Sequence, residues 1–325
     1  MKSITKRQLS EASIQAVMHT AFGVSGEIGS VTEFTDGWFA AVYGVTLADG
    51  RELVLKVSPD PALRLLRYEV DLSHAETEFY RRATQAGIPV PTVRYADPDG
   101  GYLVVDRLRG RSLNTVRPEM TGGQLLALRR DIGAALARLH TVTGQRFGYL
   151  RRDGRTQSAS WRTSFLAMVD DIVADAVEFD RKLPADAGSI AGLIRRNASV
   201  LDEVLVPVLL HFDLWDGNIF VRREGEGYVI DGFIDGERAF YGDPIAELVC
   251  LTGADDPEQR ERILAGYWGT ARPLTENERL RHRLYSVYLD LIMLTEGAVR
   301  GFDPAEHAAV HDQVFARLSA SLEEL

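Results

Sequence analysis

The sequence predicts an α+β fold in which a strand-rich unit of about 105 residues precedes a longer, mostly helical one. Three observations carry that expectation. Short apolar runs separated by Thr35-Asp36-Gly37 and Ala48-Asp49-Gly50 fill the region before Pro61, and brief Asp-Gly connections favour antiparallel hairpins. Beyond Gly110 the apolar residues recur at helical spacing instead. The chain has 325 residues, 45% apolar and 26% charged, which suits a globular protein and excludes disordered, collagen-like and coiled-coil classes.

An opening helix is expected over residues 6–21, then strands over 29–34, 38–47 and 51–57. Residues 68–86 switch to helical period, with Leu72, Ala75, Phe79, Ala83 and Ala86 on one stripe and Gly87 placed to end it. A loop holding Pro89 and Pro91 leads to strands near Val93 and over 102–105. The boundary between the two units falls near 106–110, dividing the chain into 1–108 and 109–325. Leu128, Ile132, Leu136 and Leu139 then mark a helix over 123–140, and helical stretches cover 161–178 and 187–205. Two short strands, 219–222 and 228–234, follow a loop at 211–218. Helices return to the end. The longest, 276–299, carries Leu280, Leu284, Val287, Leu291 and Leu294 at steps of four and three, a buried stripe rather than a cofactor site.

Thirty-seven Lys and Arg against 47 Asp and Glu leave a net charge of −10, which repels a phosphate backbone and argues against a nucleic-acid partner. Much of the excess acid lies in the second unit, as Asp170, Asp171, Asp175, Glu178 and Asp180, and as Asp255, Asp256, Glu258 and Glu261. A solvated helix face is favoured over a cation-binding wall for both groups. The single cysteine, Cys250, forms no internal disulfide or cysteine-based metal site and suits a reducing cytosol. Charged side chains interrupt any signal-peptide core near the N-terminus, and no apolar stretch approaches the roughly 20 residues of a membrane-spanning helix. A soluble, cytoplasmic protein without a membrane partner is expected.

The segment from Leu209 to Val221 is the most informative. Asp213 is followed five residues later by Asn218 and then by an apolar strand, while a second largely apolar strand ends at Ile234-Asp235. Phosphoryl transfer needs such a set: a carboxylate to orient and accept the proton of an attacking hydroxyl, and oxygen ligands for Mg²⁺ on the nucleotide phosphates. Taken singly, each of the three residues is equally well a turn residue satisfying backbone groups; taken together they favour catalysis. His211 is expected to brace the loop by hydrogen bonds rather than to shuttle protons. Upstream, Leu53, Leu55 and Val57 share one strand face while Val54 and Lys56 share the other, so Lys56 projects away from the first face.

On His211 to Asn218, Ile234-Asp235 and Gly242-Asp243-Pro244 the chain resembles the aminoglycoside phosphotransferase and choline kinase-like family, over about residues 30–300. The resemblance implies a bilobal protein-kinase-like fold, with an antiparallel-sheet N-lobe holding one main helix and a mostly helical C-lobe. It implies that Lys56 grips the nucleotide phosphates, that Glu76 pairs with it (Glu69 and Glu78 being the competitors), and that the backbone of Asp106, Arg107 and Leu108 meets the base. The loop Thr35 to Tyr43 stands where the family covers the phosphates; it has no G-x-G-x-x-G, and no P-loop motif occurs. Two departures stand out. Phe212 replaces the family's usual Gly and is expected to crowd the hydroxyl side, and Gly236 replaces an aromatic and is expected to loosen the metal loop.

The expected function is therefore transfer of the γ-phosphate of ATP or GTP, with Mg²⁺, to a hydroxyl of a small molecule. Asp213 is the expected base, Asn218 and Asp235 the metal ligands. An antibiotic acceptor of aminoglycoside, nucleoside or macrolide type leads by analogy, with a metabolic choline, fructosamine or sugar kinase as the alternative. A catalytically silent kinase-like binding module is the rival from another class. A protein kinase is disfavoured because no Ala-Pro-Glu-like activation segment lies between Asp235 and Pro244.

Overall fold

The Asp-Gly turns and alternating apolar residues build a first sheet in which every neighbouring pair is antiparallel. The computed structural model describes residues 3–35, 37–252 and 256–325; Asp36 of the first turn and Asp255 of the second acidic group lie outside the described residues. Strands β1 (Ile28–Phe34), β2 (Ala41–Leu47), β3 (Glu52–Val57), β4 (Val93–Asp97) and β5 (Tyr102–Asp106) lie in the order β1-β2-β3-β5-β4. Helix α1 (Glu11–Phe22) packs Ile14, Val17 and Met18 on one face, against Tyr43, Val45, Leu53, Leu55 and Val57. The other face offers Val54, Leu103 and Val105 to helix α2 (Leu72–Gln85) and to a core that runs on into the rest of the chain.

Several boundaries shift from the sequence expectation for local reasons. Helix α1 starts at Glu11 rather than residue 6 because Ser10 caps it, accepting from Ser13 N at 3.2 Å. Residues 6–9 are tied to the sheet instead, Leu9 N donating to Tyr43 OH at 2.9 Å. Strand β2 starts at Ala41 because the carbonyls of Trp38 and Phe39 accept from Thr5 Oγ1. Helix α2 is preceded by a 3₁₀ turn, Arg67–Glu69, in which Glu69 turns back onto Leu66 N at 3.0 Å. Gly87, with φ +68°, follows α2 in the left-handed region as expected.

After β5 come the short β6 (Arg111–Ser112) and α3 (Leu113–Val116), then α4 (Gly122–Leu139), β7 (Gly148–Tyr149), α5 (Trp161–Glu178) and α6 (Ala187–Asn197). The helix expected to reach residue 205 ends at Asn197 and continues as a 3₁₀ stretch, Ala198–Glu203. Strands β8 (Val208–Leu210), β9 (Ile219–Glu224), β10 (Gly227–Phe233) and β11 (Phe240–Gly242) form two small sheets, β10-β9-β6 and β7-β11-β8. Helices α7 (Pro257–Trp268), α8 (Glu276–Arg300) and α9 (Pro304–Glu323) complete the chain. Trp161, Phe165, Phe240, Tyr285 and Tyr288 stack or meet edge-on in one aromatic cluster. The acids of α5 are paired with arginine, Asp170 with Arg195, Asp171 with Arg155, Asp175 with Arg67 and Glu178 with Arg64 and Arg67. That face is arginine-neutralised and offers no bare anionic wall. Among the described residues no helix is long and apolar enough to cross a membrane.

Candidate active site

The loop 211–218 connects β8 to β9, and the β9–β10 hairpin returns the chain so that Ile234 N donates to Asn218 O at 2.9 Å. Hairpin pairing thus sets Asp235 beside the loop that carries Asp213. The loop hangs from one buried acid: Glu247 accepts from His211 N at 2.8 Å and from Phe212 N at 3.0 Å. Phe212 has φ +56°, a region where a side chain costs about 1–2 kcal/mol and glycine costs nothing. That geometry accounts for the family's glycine. The Phe212 ring does not crowd the hydroxyl side, contrary to expectation; it is 1% exposed and packs on Phe240 and Tyr288.

His211 Nε2 lies 2.8 Å from Ile234 O, and Asp213 N donates to His211 Nδ1 at 3.3 Å. Together these contacts place the ring proton on Nε2 and join the loop to the end of β10. Asn218 Nδ2 donates to Asp213 O at 2.7 Å and to Asp213 Oδ2 at 3.2 Å. Its carboxamide oxygen is left as a metal-type donor. The Asp213 carboxylate keeps 27% of its side-chain surface open, yet burial pushes its pKa up, an effect that Arg238 opposes.

Lys56 reaches from β3 across to the end of β10. Its ammonium donates to Glu76 Oε1 at 2.5 Å and to Asp235 Oδ1. Burial alone would lower the lysine; Asp235 and then Glu76 outweigh it and hold it well above its ordinary value. Tyr80 OH locks the arrangement, donating to Glu76 Oε1 at 2.6 Å and accepting from Asp235 N at 3.1 Å. The two competitors are engaged elsewhere, Glu69 with Arg300 and Glu78 with Arg81 and Arg82.

Position 236 also differs from expectation. A Cβ there would stand 2.2 Å from Phe79 Cδ1, so Phe79 supplies the packing an aromatic at 236 would give, and the turn after Asp235 is filled rather than loose. The predicted base-contact residues sit at the end of β5. Asp106 N donates to Thr92 O and Arg107 N to Glu52 O, so of the three only Leu108 N has no backbone partner among the described residues.

Residues not singled out in the sequence complete the site. Asp216 is 1% exposed and takes Arg129 in a two-point contact at 2.5 and 2.9 Å, with Arg117 at 3.2 Å. Glu247 was legible as the lone acid in an apolar run, Ile245 to Leu251. Glu237 has its pKa raised to about 8, first by burial and then by Glu76 and Asp235 against the pull of Lys56. Among the described residues no group of three His, Cys, Asp or Glu stands ready to hold a metal by itself. One carboxylate and one carboxamide suit Mg²⁺, which keeps waters and takes phosphate oxygens as further ligands.

This architecture is the protein-kinase-like fold of small-molecule kinases. A fructosamine-3-kinase candidate from Thermobifida fusca superposes with a TM-score of 0.64 at 21% identity, covering 96% of this chain and 100% of that one. A thermostable mutant of the aminoglycoside phosphotransferase APH(4)-Ia, in ternary complex with ADP and hygromycin B, gives 0.66 at 17% identity over 96% and 98%. In sequence, a protein of Enterococcus faecium named "Probable ketoamine kinase" is 27% identical over 170 residues, 49% of this chain. The match spans 58% of that relative's length. The profile of the phosphotransferase enzyme family, APH, matches residues 30–276, and the chain belongs to that family.

Proposed function

We propose that the protein transfers the γ-phosphoryl group of ATP or GTP to a hydroxyl of a small molecule. The observation that carries this reading is Lys56 bridging Glu76 and Asp235, beside a loop on which Asp213 and Asn218 are hydrogen-bonded to each other. In this reading residues 1–108 form a nucleotide lobe and 109–325 an acceptor lobe. Lys56, oriented by Glu76, holds the phosphates; Leu108 N meets the base; and Asp213 orients the acceptor hydroxyl and takes its proton. Asn218 and Asp235 would hold Mg²⁺, with Glu237 close by. When bound, the ion neutralises charge on the phosphates. His211 keeps the loop in register. The buried Cys250 suits a reducing compartment, and we place the enzyme in the cytoplasm.

For the acceptor, a hydroxyl-bearing antibiotic is the leading reading. The alternative, a ketoamine or amino-alcohol kinase, is favoured by the ketoamine kinase relative and by the pairing of the α5 acids, which removes one argument for a polycationic acceptor. Mass spectrometry of two compound panels incubated with enzyme and Mg-ATP separates them. Phosphoryl gain confined to antibiotics supports the first reading, and gain confined to ketoamines or amino alcohols replaces it with the second. Gain in neither, with no nucleotide turnover, points to a silent binding module.

A further inference from the structure

We propose that Arg238 is a positioning residue for Asp213 and that Glu296 fixes Arg238 in turn. This rests on the phosphotransferase reading and extends it to residues outside the loop and the metal set.

Arg238 ends the short 3₁₀ turn Gly236–Arg238 that follows Asp235, and it is 8% exposed. Its Nη2 donates to Glu296 Oε2 at 2.7 Å, its Nη1 stands 3.5 Å from Asp213 Oδ1, and its guanidinium lies 5.9 Å from the Tyr68 ring centroid. Glu296, on α8, cannot swing away. The same Oε2 accepts from Tyr68 OH at 3.2 Å and pairs with Arg300 at 2.6 Å. Arg238 is thus held by one arm from a fixed carboxylate and offers the other to Asp213.

The consequence falls on the Asp213 carboxylate, whose final torsion is intrinsically soft. Asn218 holds Oδ2 and Arg238 approaches Oδ1, so the carboxylate plane is defined at both oxygens, and with it the lone pair turned toward an attacking hydroxyl. A planar guanidinium serves two carboxylates from one rigid fork; an ammonium does not. Arg300 carries the network on to Glu69, before α2, at 3.3 Å. A purely structural role, as a strap between the two parts of the chain, is therefore the competing explanation, and kinetics separate the two.

The test uses the full chain with Mg-ATP and water as acceptor, reading ADP release, nucleotide KM and thermal stability. Arg238→Met is expected to lower kcat about 100-fold, as expected for a misplaced reacting group, with KM for Mg-ATP within about threefold of wild type. Arg238→Lys should recover part of the loss, and Glu296→Gln should fall between wild type and Arg238→Met. A folded Arg238→Met with kcat within about threefold of wild type overturns the inference, as does a KM that rises in step with the loss. If Arg238→Met does not fold, the other two variants decide, and wild-type kcat in both overturns it. A wild type that releases no ADP with water and with every compound of the two acceptor panels overturns the phosphotransferase reading and this inference together; a turning-over wild type with an indifferent Arg238→Met overturns the inference alone.

Discussion

Phe79 of α2 occupies the place that a side chain at Gly236 would need, 2.2 Å from a Cβ built there, and its ring also meets His211 edge-on at 5.0 Å. One aromatic thus packs both the Gly236–Arg238 turn and the loop 211–218. Gly236→Ala is expected to destabilise by about 1–3 kcal/mol through overpacking, and Phe79→Ala by about 3–5 kcal/mol through the cavity it leaves. Chemical denaturation measures both. An unchanged midpoint for Gly236→Ala would show that Phe79 yields without cost.

Phe212 combines a strained backbone with a buried ring. Phe212→Gly relieves about 1–2 kcal/mol of left-handed strain and loses about 3–5 kcal/mol of aromatic packing, so a net loss is expected despite the family's preference for glycine. Greater stability in the variant would mean that the ring's contacts with Phe240 and Tyr288 contribute little.

The loop 211–218 is also pinned by Arg129 and Asp216, 0% and 1% exposed at their side chains. Arg129→Met leaves a buried carboxylate with Arg117 as its one charged partner among the described residues, and a loss of about 3–5 kcal/mol is expected. Replacing both partners by apolar residues should restore part of it. If the single variant melts with the wild type, Arg117 alone suffices.

These features mark where the sequence was and was not readable. Alternation in β3 placed Lys56 on the face opposite Leu53 and Leu55, and helical spacing placed Phe79 on a buried stripe, because both signals depend on period alone. The bounds of α5 were legible to the residue, whereas α1 was read five residues early because nothing local weighs the Ser10 cap against tethering of residues 6–9 to the sheet. Asp216, Glu237 and Arg238 were missed for a common reason. Their partners Arg129, Lys56 and Glu296 lie far along the chain, and a charged residue reads as exposed until its partner is known.

Acid should reveal the cap of α8. Glu278 accepts from Thr275 N and from both outer nitrogens of Arg272 at 2.8 Å; the Arg272 contacts, against some burial, bring its pKa from 4.5 to about 2. A folded value below the unfolded one gives stability that is complete above about pH 4.5 and is lost as pH falls toward 2. Screening at the half-exposed Arg272 limits this to about 1–2 kcal/mol. Glu278→Gln should be less stable than wild type at pH 6, with the gap closing between about pH 4.5 and 2. A gap of constant size down to pH 2 would remove the ionised contact from the account.

The central claim, that Asp213 directs phosphoryl transfer in a site whose nucleotide grip is supplied by other residues, is tested most directly by one comparison. Mg-ATP affinity and acceptor phosphorylation are measured side by side for wild type and Asp213→Ala. The account predicts affinity within about threefold of wild type and turnover reduced by at least about a thousandfold. Turnover retained at a substantial fraction of wild type would contradict it.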